Sequence, residues 1–341
     1  MYVLLALAML SVLIVTHELG HFLAARACGI AVQEFSVGMG PLLLKRKGKH
    51  GTQFSLRALP IGGFCMFYGE DSGSREKDAF ARASVAKRAI TIASGPLMNF
   101  VVAFLVVVFF VSALGVEVIL PVVGEVEENA RAAGLMIGDE LLEVDGKEIV
   151  SSSDVITAVN AAQGEPVVFT VLRGEEIVEV PLAPFYDEGA QRYRVGFSFA
   201  MGREHIPVWE SVPFAASYCV SSVQAIVDAL AGIFSSGRGV EDMTGIVGTV
   251  YVIQDATRTG GIDIVLQLLA MISVNLGVMN LLPVPGLDGS KLLFLLAEAV
   301  RGKPLNERIE GALTMAGFAL IFGLMIVLTY KDLMQILTGR L

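Results

Sequence analysis

Residues 90–114, ITIASGPLMNFVVAFLVVVFFVSAL, contain no charged side chain. A run this long and apolar matches the hydrocarbon thickness of a bilayer, which takes about 20 residues of helix to cross. Inside lipid every backbone N–H and C=O must be bonded within the protein, so such a run folds as a helix. Residues 1–27 and 308–330 are two more runs of this kind, and 262–299 is a fourth, interrupted by NLLPVPGLDG. Composition agrees, with 54% of 341 residues hydrophobic against about 45–50% in soluble domains. The chain reads as a polytopic α-helical membrane protein with about four transmembrane helices. The first run lacks a basic leader, and His17 and Glu18 fall where an apolar signal core would continue. It therefore reads as a retained helix.

Charge is unevenly placed. Eleven Lys or Arg lie between Arg26 and Arg88, including KRKGKH at 45–50. From Glu117 to Gln191 there are three, Arg131, Lys147 and Arg173, against sixteen Asp or Glu. Lys and Arg beside spans favour the cytoplasm, so 28–88 is expected inside and 115–260 outside, with both termini outside. Cys28, Cys65 and Cys219 are too scattered for a disulfide framework or a cysteine metal site.

Between the spans the pattern changes. Residues 50–70, HGTQFSLRALPIGGFCMFYGE, alternate apolar and polar around Pro-Ile-Gly-Gly, which predicts a β-hairpin. Its charge-poor aromatics place it against the membrane. Residues 71–88 are expected to form a surface helix. Residues 115–190 are polar and strand-rich, with a tight turn at Asp145-Gly146, a helix from the Ser cluster at 151–153, and two strands about Arg173-Gly174. Residues 191–260 read as an outer linker. Its stretch 209–236 is either an amphipathic surface helix, favoured by Glu210, Gln224 and Asp228, or a weak fifth span, and GIVGTV and TRTGGID read as loop. Residues 261–341 read as the last two spans, and 1–114 as the first two with the hairpin between.

Chemistry concentrates in the first span. His17, Glu18 and His21 form H-E-x-x-H. On a helix, residues four apart share a face, so both imidazoles can hold one metal ion while Glu18 projects beside them as a proton acceptor. Ionisable groups within a span are costly and therefore functional by default. Two imidazoles and an oxygen ligand suit zinc, and a catalytic zinc needs a third protein ligand. Asp288 is the expected one. It lies in NLLPVPGLDG, where Pro283, Pro285 and Gly286 break a helix, and a break is tolerated only inside protein or beside a watered cavity. Glu34 is the alternative. Asn280, at the same break, is expected to hydrogen-bond a substrate peptide.

Three features together carry a family resemblance. HELGH stands in the first span, AAGLMIGDELLEVDG in the outer insert, and NLLPVPGLDG late in the chain. FSVGMGP at 35–41, PIGGFCMFYGE and SGPLMNF at 94–100 extend the likeness to nearly the whole chain. The sequence resembles the site-2 protease family, and within it the bacterial regulator-of-sigma-E proteases, with one PDZ domain where the proteobacterial form has two. Ser290 stands where that family often has a second glycine. The resemblance implies an α+β PDZ insert, a Zn2+ cofactor on His17, His21 and Asp288, and Glu18 as general base. It implies a multi-pass protein of the bacterial inner membrane. Its substrates would be transmembrane segments of anti-sigma factors or signal-peptide remnants, first trimmed by another protease. An unwound substrate needs a backbone partner, and the hairpin edge with Gly62, Gly63 and Phe64 is the expected one. Lipid is an expected partner and nucleic acid is not. The rival reading is a membrane-anchored PDZ receptor with a structural metal site.

Overall fold

A computed structural model describes residues 2–69, 79–189, 191–236 and 245–338. They form two compact units, one of residues 1–112 with 207–341 and one of Ala113–Ile206.

The first unit begins with α1, Tyr2–Cys28, whose continuous apolar run leaves no position where the helix would end before Gly29. Two long strands follow, β1 Val32–Lys47 and β2 Gln53–Phe67. The hairpin expected within 50–70 is therefore a single strand, and Pro-Ile-Gly-Gly lies inside β2 rather than at a turn. The partner β1 was missed because FSVGMGP lacks strict alternation. Gly38 and Gly40, both at φ +83°, let β1 bend sharply in mid-course. The bend folds the ribbon back on itself. Phe35 faces Cys65 on one side and Phe54 on the other, while Arg46 also faces Phe54. Residues 34–37 are thus central and 63–67 form an edge arm. Ala25, Ile30, Val32, Phe67, Phe80, Ile92 and Leu295 bury together and seat the base of the ribbon.

Residues 71–78 of the expected surface helix lie outside the described residues. Phe80–Arg82 is one short turn, and α2 spans Val85–Phe109, capped by the Ser84 hydroxyl and closing in a wide turn at Phe110–Leu114.

The second unit holds strands β3 Val116–Val126, β4 Glu140–Val144, β5 Lys147–Glu148, β6 Val167–Arg173, β7 Glu176–Leu182, β8 Phe185–Asp187, β9 Arg192–Arg194 and β10 Phe197–Glu204. Two short helices, α3 Glu128–Ala132 and α4 Ser152–Ala161, complete it. The sheet order is β10-β3-β4-β6-β7, with β5 beside β4 and β8 paired to β9. Asp145 and Gly146 both take positive φ, as their hairpin turn requires, and a Ser151–Asp154 capping box starts α4. Leu141, Val155, Val167, Phe169, Val171 and Leu182 fill the core. The boundary expected at residue 190 falls short: β9 and β10 belong to this unit, because β3 needs β10 as its partner along its whole length.

The chain then returns to the first unit with α5 Val208–Ser236, α6 Ile246–Leu281, α7 Asp288–Arg301 and α8 Glu307–Leu337. GIVGTV and TRTGGID, expected as loop, fall within α6 apart from its N-cap Gly245, and Gly261, with a non-helical backbone at φ +66°, divides that helix at a kink. Five helices among the described residues are long and apolar enough to cross a membrane, one more than about four. The extra one is α5, where Glu210 and Asp228 favoured a surface helix but the 26 residues Val208–Ile233 meet both criteria. The four other candidates are Leu4–Cys28, Val85–Leu114, Gly261–Leu281 and Arg308–Leu337. Helix α2 is the hub, touching α1, α5, α6 and α7.

Candidate metal centre

Two elements bring the first histidines together and a third closes on them. His17 and His21 sit one turn apart on α1, both buried. Helix α6 ends at Leu281. Leu282, restricted by Pro283 to an extended conformation, turns the chain out of the helix. Helix α7 begins at Asp288. Its second residue, Gly289, lies against the carbonyls of Leu281 and Leu282, where a side chain would collide with backbone. This close docking of α7 on the end of α6 carries Asp288 to the histidines.

His17 Nε2 is 3.1 Å from Asp288 Oδ2, His21 Nε2 is 3.2 Å from the same oxygen, and the two Nε2 atoms are 3.2 Å apart. A tetrahedral zinc centre with bonds of about 2.0–2.1 Å has edges of about 3.3 Å, so these three atoms match one face of it. Asp288 Oδ2 is buried without a hydrogen-bond partner. Three converging lone-pair atoms, one of them orphaned, fit a divalent cation. Among the described residues this is the one group of three or more His, Cys, Asp or Glu arranged to hold a metal.

Helix α2 packs against the back of the histidines. His21 Nδ1 donates to the Thr91 carbonyl at 2.9 Å, which leaves Nε2 free to ligate. Gly95 makes this approach possible, since a Cβ there would overlap the His21 ring. Asn99, fully buried, has its amide 3.3 Å from His17 Nδ1. Its own carbonyl is held by the Ser273 hydroxyl at 2.7 Å. Thr91, Gly95 and Asn99 received no role from sequence reasoning. The available signal was the polar Asn99 inside the apolar run 90–114.

Glu18 faces the ribbon. Its carboxylate accepts from the Cys65 backbone N–H, and its Cγ would lie 3.7 Å from a Cβ on Gly63. The edge arm 63–67 is thereby set beside the metal site, and among the described residues no strand pairs with its outer side. The other expected substrate contacts are more dispersed. Gly62 packs on Met39, Phe64 lies with its ring centre 5.0 Å from the Arg57 guanidinium, and Asn280 is half-buried in the last turn of α6. Glu34 is not with the triad. It pairs with Arg57 at 2.9 Å. Burial opposes its charge, but Arg57 and the Ser55 hydroxyl outweigh that and hold its carboxyl below the usual range.

A model of the family described as "Peptidase family M50" matches residues 5–324. The chain belongs to that family. Relatives each named "Putative zinc metalloprotease" span nearly all of it. The Agrobacterium fabrum protein is 33% identical over 98% of this chain and 96% of its own length. That of Clostridium acetobutylicum is 33% identical over 97% and 96%, and that of Helicobacter pylori 32% over 97% and 99%. Two solved PDZ domains of SdrC-like proteins, from Listeria monocytogenes and Listeria innocua, are 20% and 23% identical to this chain. They cover 23% and 26% of it and 85% and 98% of their own lengths, each with a TM-score of 0.22. As a site-2 protease the chain is a membrane metalloendopeptidase, and its cofactor is zinc.

Proposed function

We propose that this site-2 protease hydrolyses peptide bonds within the membrane-embedded segments of other membrane proteins, with His17, His21 and Asp288 as zinc ligands and Glu18 as proton acceptor. The observation that carries the reading is where the triad sits. Its histidines are buried on α1, a helix of spanning length, and α2, another such helix, packs behind them.

Bound zinc would supply Lewis-acid polarisation and lower the pKa of a water molecule. Glu18 takes the proton as a water oxygen bonds to the scissile carbonyl carbon, then returns it to the departing nitrogen as the C–N bond breaks. The Cys65 N–H fixes the carboxylate that does this. A helical substrate hides its amides in its own hydrogen bonds and must unwind. The outer side of arm 63–67, with which no strand pairs among the described residues, supplies replacement bonds by strand addition. Gly63 presents no side chain between that arm and Glu18. On the charge distribution, residues 28–88 are cytoplasmic and the second unit lies outside. The substrate class carried by the resemblance is anti-sigma factors or signal-peptide remnants after a first cut.

A structural zinc site is closed by four protein ligands, and three are found among the described residues, which counts against a non-catalytic receptor. The test is cleavage of a model transmembrane peptide by purified protein in detergent. Glu18→Gln retains zinc and loses about 10²–10⁴-fold in rate, the usual worth of a general base. Turnover within tenfold of the natural protein by a zinc-loaded Glu18→Gln preparation removes the assignment.

A further inference from the structure

His21 and His17 are served differently by α2. His21 Nδ1 meets a backbone carbonyl, which can only accept, so that ring is set with Nδ1 protonated and Nε2 open. His17 Nδ1 meets the side-chain amide of Asn99, whose nitrogen faces it at 3.3 Å while Oδ1 is buried with no partner. In that orientation the arrangement conflicts with the rest of the site. His17 turns Nε2 toward Asp288 and His21, so a neutral, ligating His17 carries its proton on Nδ1. A donor would then face a donor. Amide oxygen and nitrogen have nearly the same shape, and their assignment follows from the bonding around them. Rotating the Asn99 amide by half a turn places its orphaned oxygen on the His17 Nδ1–H and removes the clash of donors.

We propose that Asn99 is a positioning residue of the metal centre, its Oδ1 accepting from His17 Nδ1–H and holding His17 in the tautomer and ring orientation that present Nε2 to zinc. It is the side-chain counterpart of the Thr91 carbonyl behind His21. The backbone around it is pinned, because Ser273 on α6 donates to the Asn99 carbonyl. Helix α2 thus orients both ligand rings of α1 from Thr91 and Asn99, eight residues apart, while α6 holds the turn that bears Asn99. The inference rests on the reading that His17, His21 and Asp288 bind zinc.

The experiment measures zinc affinity of the full-length protein in detergent by competition with a chromophoric chelator. The variants are Asn99→Leu, Asn99→Asp and His17→Ala, each with its metal-free melting temperature. Loss of an outer partner of a ligating histidine weakens metal binding by about 10–100-fold, and Asn99→Leu is expected in that range. Asn99→Asp keeps an acceptor and loses every donor, so it is expected to bind zinc within about threefold of the natural protein. The aspartate arm stands even if the leucine variant does not fold. If Asn99→Asp binds zinc more than tenfold more weakly while melting normally, the amide acts as a donor and the proposal falls. A folded Asn99→Leu with unchanged affinity also overturns it. If His17→Ala leaves zinc affinity unchanged, the ligand assignment itself fails, and that result is distinct from either.

Discussion

Two buried aspartates, one in each unit, show how differently a chain can treat the same side chain. Asp139, in the second unit, is 1% exposed, yet its carboxylate is fully provided for. Arg173 donates from Nε at 2.8 Å to Oδ1 and from Nη2 at 2.7 Å to Oδ2, and the Met136 N–H adds a third bond at 2.9 Å. The Arg173 bonds outweigh the cost of burial and hold the Asp139 carboxyl below the usual range. Asp288, in the first unit, has Oδ2 buried with no protein donor, facing two imidazole nitrogens. A buried charge survives only when paired, hydrogen-bonded or on a metal. Asp139 meets that condition within the protein and is structural. Asp288 leaves it to be met by a ligand, which marks its neighbourhood as a site. The same contrast separates Glu34, paired with Arg57, from Glu18, left beside the edge arm.

The contrast can be broken most sharply at Asp288 itself. Asp288→Ala is expected to abolish detectable cleavage and lower zinc affinity by more than about 100-fold, beyond the loss expected for an outer partner. Metal analysis after dialysis checks it, and full zinc occupancy would show that the third ligand lies elsewhere. A smaller effect is expected from prolines placed singly across the edge arm, Gly63–Phe67. Each removes one backbone donor. Where that donor serves substrate, cleavage falls about tenfold, the worth of one such bond at roughly 1.4 kcal/mol. Zinc content should stay unchanged, and unaltered cleavage across the whole scan would reject strand addition.

The smallest effect on catalysis belongs to Asp139. Asp139→Ala is expected to destabilise the second unit by about 2 kcal/mol, discounted because the Arg173 partner is partly solvated, with no effect on zinc affinity. Hydrogen exchange over residues 113–206 of the full chain reads this. Because its folded pKa is depressed, Asp139 contributes stability above the ordinary carboxylate range, near pH 4, and loses it as pH falls through the folded value. Asp139→Asn should flatten that acid limb. A limb that persists unaltered in Asp139→Asn would move its origin to other groups.

How much of this was legible in advance depended on the range of the interaction. Helices α1, α2 and α8 announce themselves because bilayer length and the need to bond every peptide group leave no other fold. His17, Glu18 and His21 are one helical turn of each other, so their shared face follows from helix geometry alone. In the second unit the Asp145-Gly146 turn and the Ser151–Asp154 cap were readable for the same local reason. The ribbon was half readable: β2 alternates, but β1 pairs with two different arms of it, and no local pattern encodes a double register. Helix α5 lay near the boundary between surface and spanning helices, where a few polar residues tip a composition-based reading.

By itself the sequence determined that this chain places an H-E-x-x-H on a membrane-length helix and breaks a later helix at an aspartate. These are matters of periodicity, hydrocarbon thickness and the missing N–H of proline. Tertiary structure alone decided that Asp288 closes the triad 267 residues after His21. It also decided that Asn99 and Thr91 stand behind the two rings, that Gly95 lets α2 come close enough, and that Glu34 goes to Arg57. Each of these depends on two backbones meeting at a particular depth and angle. That depth is set by packing, by which glycines admit a neighbour and by which buried polar atoms find a partner, and such couplings between distant segments leave no period in the sequence.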